Sequence, residues 1–322
     1  MVNPIKSGVY TQIIKAVKQL NPSETDAEAK RRFTIALAGN SSEEVDILRS
    51  AFLGESPSDD EILMSAIVLK RCEFPADETI VHVLKKAEII LVYPGVDIDT
   101  QAFKGDMHLF DPEKPNDALK SIISSGAGNE LKLAIGAKFP ALRVEIARGI
   151  LREVSRENAV FAITTAMGNV VPSIIQPFLG VAEAAGDSVI LTSNQIRMMF
   201  MIGAVYGSEI GFKTQWKEVT SIIGASFGWR AIARELVSKI PFGGGLAPKG
   251  AIAYAGTTAV GEGLIFLYTT GRHMTRQETA AAFKKAYSDA VGVVRSLLER
   301  FRPSLPAAGG VKAPDESGKG SD

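Results

Sequence analysis

The chain has 322 residues, 46% of them hydrophobic and 22% charged, which is apolar enough to bury a sizeable core and excludes disorder by composition. Lysine plus arginine and aspartate plus glutamate each number 36, so net charge is zero and the basic footprint of a nucleic-acid binder is missing. One cysteine, Cys72, excludes a disulfide framework within the chain and fits a reducing compartment.

A chain of this length predicts two domains. The first stretch, "MVNPIKSGVYTQIIKAVKQL", is interrupted by Lys6, Lys15 and Lys18 and is no signal peptide. Val9, Ile13, Val17 and Leu20 recur at helical spacing, which predicts an amphipathic helix docked on its own domain, with a membrane anchor as the rival reading. Residues 1–30 are thus a helix and a polar connector, with Thr25 and Glu28 at capping-box spacing for a short helix. "RRFTIALAG" reads as a strand. "SSEEVDILRSAFLG" (41–54) reads as a helix with Ser41 or Ser42 as cap, an acidic first turn and Gly54 at the C-cap. "AEIILVYPG" (87–95) and "MHLF" (107–110) are further strands, and "DETIVHVLKKA" and "PNDALKSIISS" are helical. This alternation predicts an α/β layer domain over 31–127.

From 128 to 301 the β signal fades and an all-α domain is expected. Arg148, Arg152 and Arg156 lie four apart on one stripe, a solvated face or, alternatively, a contact for lipid headgroups or phosphate. Residues 158–182 carry no charge and are long enough to span a bilayer, whereas Pro172 and Pro177 favour a broken pair of core helices. The apolar run 250–271 holds Glu262 at its middle, where a charge costs ~2.5 kcal/mol or more at the bilayer centre. Ala255, Ala259 and Gly263 recur every fourth residue, as do Ala253, Thr257 and Gly261, and permit close helix approach in either a soluble bundle or a membrane; with the arginine stripe, Ala255, Ala259 and Gly263 are the expected interaction residues. The last segment, 302–322, has the composition of a disordered tail.

The strand–turn–helix around Gly39 has the layout of a phosphate-binding loop, G-x-x-x-x-G-K-[ST]. With Gly39 as its first glycine, Glu44, Val45 and Asp46 replace the second glycine, the lysine and the hydroxyl residue. Glu43, Glu44 and Asp46 then set carboxylates where phosphates would lie, and repulsion replaces attraction. Pro94 and Gly95 fit the end of a D-T-P-G switch motif with Val92 in place of the metal-linked Asp. In a second, exclusive alignment Asp97 ends an N-K-x-D motif and Pro94 and Gly95 replace its Asn and Lys. His82, His108 and His273 have no metal-spaced partner; Arg71 beside Cys72 is placed to lower the thiol pKa, but a lone cysteine reads first as inert packing. The glycine-rich "PFGGGLAPKG" (241–250) reads as a hinge or membrane-facing loop between helices. No catalytic residue, metal site or cofactor is expected.

"LAIGAKFPALRVEIARGILREVSRENAVFAITTAMGNVVP", "SNQIRMMFMIGAVYG", "GWRAIARELVSKIPFGGG" and "KGAIAYAGTTAVGEG" occur in this order. Over about 130–287 the chain resembles the bacterial YcjF-type domain of unknown function. That domain is often fused behind an Era-type GTPase domain or works beside a separate GTPase. Residues 33–97 resemble such a GTPase domain in register, through Ile47, Leu48, Ala51, Phe52, Leu53, Gly54 and Glu55. The resemblance implies a degenerate P-loop-like α/β domain before a helical domain, on the cytoplasmic side of a bacterial inner membrane. It implies a non-catalytic scaffold or regulator with a membrane surface or a protein partner, such as a separate GTPase, self-association being a further option. The rival readings are a nucleotide switch using Arg31, Arg32 or Lys70 for phosphates, and an integral membrane module.

Overall fold

The computed structural model describes residues 11, 12, 14–54, 57–167, 187–222 and 246–301. Four strands form one parallel sheet: β1 (Ile35–Gly39), β2 (Leu69–Glu73), β3 (Ile89–Val92) and β4 (Asp106–Leu109), in the order β2-β1-β3-β4. β1 and β3 are buried on both faces, which is why they read as continuous apolar runs. Ile35, Leu37, Ile89 and Leu91 point to one side. They meet Val45, Leu48 and Phe52 of α2 (Ser42–Leu53) and, beyond it, Leu119, Ile122 and Phe139. Ala36, Ala38, Ile90 and Val92 point to the other side, over Cys72, Leu84, Phe103 and Met107.

Local chemistry sets the element ends. α1 (Pro22–Ala29) begins before the Thr25 start expected from the capping-box spacing, because Pro22 takes the first helical position behind Asn21. In α2 the Ser41 hydroxyl accepts from Glu44 N–H, and Gly54 closes the helix at φ 76°. The expected strand 87–95 is trimmed to β3: Ala87 caps α4 (Glu78–Lys86), and the chain turns after Val92, with Gly95 at φ 85°.

The sequence reading assigns no element to 57–73, yet α3 (Asp59–Val68) and β2 lie there. α3 starts on a full capping box between Ser58 and Glu61 and passes into β2 at Leu69 (φ −81°, ψ 116°) with no intervening turn. A helix and a strand joined without Gly or Pro look like one apolar run.

The second half is helical: α5 (Pro115–Ser124), α6 (Gly126–Glu130), α7 (Lys132–Lys138), α8 (Pro140–Met167), α9 (Asp187–Val205), α10 (Leu246–Thr270) and α11 (Arg276–Phe301), with a short helix over 216–222. α10 packs against α8, α9 and α11; α8 also packs on α9; α7 bridges α1, α8 and α9. One apolar core runs without a break from the sheet face through α7, α8, α9 and α10. The uncharged stretch from Asn158 extends α8 as far as Met167, and its remainder, 168–182, lies outside the described residues, as does 241–245 of the glycine-rich segment. Gly250, the last residue of that segment, lies inside α10, where an added Cβ would meet Ile163 Cγ1 at 2.8 Å.

Candidate functional site: the crevice beside Gly39

In open parallel sheets ligands bind beyond the carboxyl ends of the strands, where the strand order reverses. Here that point lies between β1 and β3, because the chain steps from β1 to β2 on one side and then crosses to β3 on the other. Gly39, Asn40 and Ser41 leave β1 at this end, and Tyr93, Pro94 and Gly95 leave β3. The loops touch: Tyr93 N–H donates to Ala38 O at 2.8 Å, and Asn40 Nδ2 lies 4.0 Å from where a Cβ on Gly95 would sit.

The residues at the would-be phosphate site are occupied by one another. The Ser41 hydroxyl accepts from Glu44 N–H at 3.3 Å, and the Glu44 carboxylate folds back to accept from Asn40 N–H at 2.6 Å. Two backbone donors that a phosphate loop would offer to its ligand are thereby engaged. Val45, which aligns with the lysine of the phosphate-loop pattern, is fully buried beneath α2 as part of the core. Gly39 is tight: a Cβ there would stand 3.0 Å from both Glu44 Cβ and Val45 Cγ2.

Asp46, which aligns with the hydroxyl residue of the phosphate-loop pattern, is bound by Arg71 of β2. The same guanidinium donates to Ser42 Oγ at 2.6 Å, Ser42 O at 3.1 Å and Glu73 Oε1 at 3.2 Å. An arginine therefore stands among two carboxylates and a serine hydroxyl, neutralising charge with five fixed donors. Partial burial works against its charge, but the bonds to Asp46 and Glu73 outweigh that and raise its pKa above the ordinary arginine value. The sequence reading names Arg71 only as the neighbour of Cys72, because Asp46 and Ser42 lie 25 and 29 residues away and no local spacing joins them to it.

The alternative cations lie elsewhere. Arg31 and Arg32 precede β1 at the opposite end of the sheet, and Arg31 stands 3.9 Å from Glu130. Lys70 Nζ donates to Ala66 O at the end of α3. Cys72 is inert packing and not an activated thiol: strand alternation turns it from the Arg71 side into the core, and burial pushes its thiol up to about 11. His108 is buried on β4 with Nδ1 2.9 Å from Ser121 Oγ, and burial holds its pKa below the ordinary value against the pull of Asp106. Among the described residues no group of three His, Cys, Asp or Glu side chains is placed to hold a metal ion.

No family model, curated protein or solved structure matches the chain.

In the helical half Arg148, Arg152 and Arg156 are exposed on α8, as their spacing predicts, and Arg152 pairs with Glu145 at 3.0 Å. Ala255 and Ala259 are not an interaction surface: both are buried against Phe283 and Ala286 of α11, so the small residues serve packing inside the chain. Gly261 lies so close to α8 that a Cβ would meet Leu151 Cδ1 at 2.6 Å. Gly263 faces a groove of about 270 Å³ between α10 and helix 216–222, walled by Ile222, Val260, Leu264, Leu267 and Met274. Lys249–Thr270 is the one helix among the described residues long and apolar enough to cross a membrane, and 67% of its most apolar window is buried within the chain.

A polar cluster at the centre of the bundle was invisible to spacing arguments. Asn158 on α8 donates to Thr257 Oγ1 on α10 at 2.8 Å and accepts from Asn194 Nδ2 on α9 at 2.8 Å. Gln195 Nε2 also reaches Thr257 Oγ1 at 3.3 Å, and Thr257 returns its own hydrogen to Ala253 O. All four side chains are buried. Buried amides must be paired, so this cluster fixes the relative register of three helices.

Proposed function

We propose that this chain is a non-catalytic scaffold or regulator. In this reading a degenerate P-loop-like α/β layer carries a YcjF-type helical domain that works on a membrane surface or a protein partner. One observation carries the reading: the loop after Gly39 is closed on itself, with Glu44 on Asn40 N–H and Arg71 on Asp46, Ser42 and Glu73. A triphosphate would have to displace a carboxylate from the loop and meet Glu43 beside it. The buried Val45 offers no charge in place of the lysine. The parallel sheet with its reversal beside Gly39 agrees with descent from a nucleotide-binding ancestor.

The exposed arginines of α8 supply a surface for anionic partners. The apolar α10, largely buried within the chain, favours peripheral attachment at the cytoplasmic face over insertion. Calorimetric titration of GTP with Mg²⁺ into the full chain tests the reading. No binding heat up to about millimolar nucleotide is expected, and a micromolar Kd overturns it. Carbonate extraction from membranes tests attachment: release into the supernatant is expected, and retention in the pellet assigns the chain to the integral class.

A further inference from the structure

α3 is amphipathic the wrong way round. Its inward positions are Ser65, Val68 and the half-buried Glu61, while Ile62, Leu63, Met64 and Ile67 face outward. Leu63 is 68% exposed and Ile67 62%, and these two sit at the centre of the outward face. Single exposed leucines need no explanation, but four large apolar side chains on one ten-residue helix form a contiguous patch of the kind that marks an interface. Among the described residues nothing covers it.

The charges at its two ends say what fits there. Asp59 and Asp60 lie exposed on the outward face at the start of the helix. At its other end Lys70 Nζ stands 3.1 Å from Ala66 O. The face therefore reads acidic, apolar, basic along its length. Turned end for end, that series is its own complement. We infer that α3 is a self-association surface, pairing antiparallel with α3 of a second copy about a two-fold axis near Ser65. Such an axis sets Leu63 of each copy against Ile67 of the other and Asp60 against Lys70, the isologous arrangement of a closed dimer. Antiparallel pairing also places opposite helix ends side by side.

One short helix per copy buries less than the ~800 Å² per partner of a standard interface, so the expected Kd is about 1–100 μM. Sedimentation velocity of the full chain over a concentration series spanning that range tests the inference. The expected result is a mass that rises toward twice the chain mass. Leu63→Lys and Ile67→Lys each raise the Kd at least about tenfold, because both lie at the centre of the patch. Both positions are exposed, so the variants keep the parent circular dichroism spectrum and melting point. Asp60→Lys or Lys70→Asp alone weakens the dimer, and the double exchange restores it. A monomer at every concentration overturns the inference. So does a dimer indifferent to Leu63→Lys, or a monomer whose binding to lipid vesicles is lost with Leu63→Lys.

Discussion

Replacing Asn158 by leucine tests the polar heart of the bundle. Leucine has the same branching and number of heavy atoms, so the substitution leaves no cavity, and the extra bulk of its two methyls adds an overpacking cost to the polar one. It removes the bonds to Thr257 Oγ1 and Asn194 Nδ2, both 2.8 Å, and the longer one to Leu191 O at 3.4 Å. Thr257 keeps Gln195 and Ala253 as partners, but the Asn194 amide, 3% exposed, loses the acceptor of its 2.8 Å bond. The stranded Asn194 donor costs about 1–3 kcal/mol and the lost Thr257 bond adds about 1, so Asn158→Leu is expected to destabilise by about 2–4 kcal/mol or more. Urea unfolding followed by circular dichroism measures it. Asn158→Leu with Asn194→Leu strands no donor and is expected to recover at least half of the loss. A single variant within ~0.5 kcal/mol of the parent, or a double variant no better than the single, refutes the account of a paired polar core.

Three further outcomes follow from particular contacts. Gly261→Ala gains about 1 kcal/mol of helix propensity but drives a methyl onto Leu151, where overpacking costs about 1–3 kcal/mol; a net loss is expected, and in a double-mutant cycle Gly261→Ala costs less in the Leu151→Ala background than in the parent, as denaturant midpoints decide. His108 is held below its ordinary value of 6.5, so the unfolded chain takes the proton first. Stability from this group is then flat above pH 6.5 and falls as pH drops from 6.5 toward the depressed folded value; His108→Gln should remove that acid-side slope in urea titrations at stepped pH. Cys72, with its thiol near 11 and its side chain in the core, should react with a disulfide reagent at pH 8 only as fast as the chain opens, and burst labelling of native protein would contradict its placement.

Much of the sheet was legible because its strands are extreme. Ile35–Ala38 and Ile89–Val92 are buried on both faces and so read as unbroken apolar runs. α2 was legible to its ends, since Ser41 and Gly54 are caps with a mechanism. β2 was not, because Leu69–Glu73 lies at the sheet edge, carries Lys70 and Arg71, and follows α3 without a turn. Its capping box, Ser58 with Glu61, was a readable signal that the apolar run begins as a helix.

The site was legible only as a departure from a spacing pattern. Spacing identified Glu44, Val45 and Asp46 in the phosphate-loop positions, but what they do instead depends on distant residues. Arg71 meets Asp46 across 25 positions, and Asn158 meets Thr257 across 99. Such pairings arise from topology, and no periodicity within one element encodes them. Ala255, Ala259 and Gly261 of α10 are spent on Phe283, Ala286 and Leu151 of the same chain, whereas Gly263 approaches nothing within 4 Å, a difference that the four-residue spacing does not encode.

The account rests on a loop filled by its own residues, and thermal unfolding of the full chain with and without GTP, GDP and ATP, each with Mg²⁺, tests that most directly. A ligand at ~100 times its Kd adds about 2.7 kcal/mol and shifts the melting point by several degrees. The account predicts identical curves for all four samples. A rise with GTP that ATP does not reproduce would contradict it, and would mean that Glu44 and Arg71 leave the loop when nucleotide arrives.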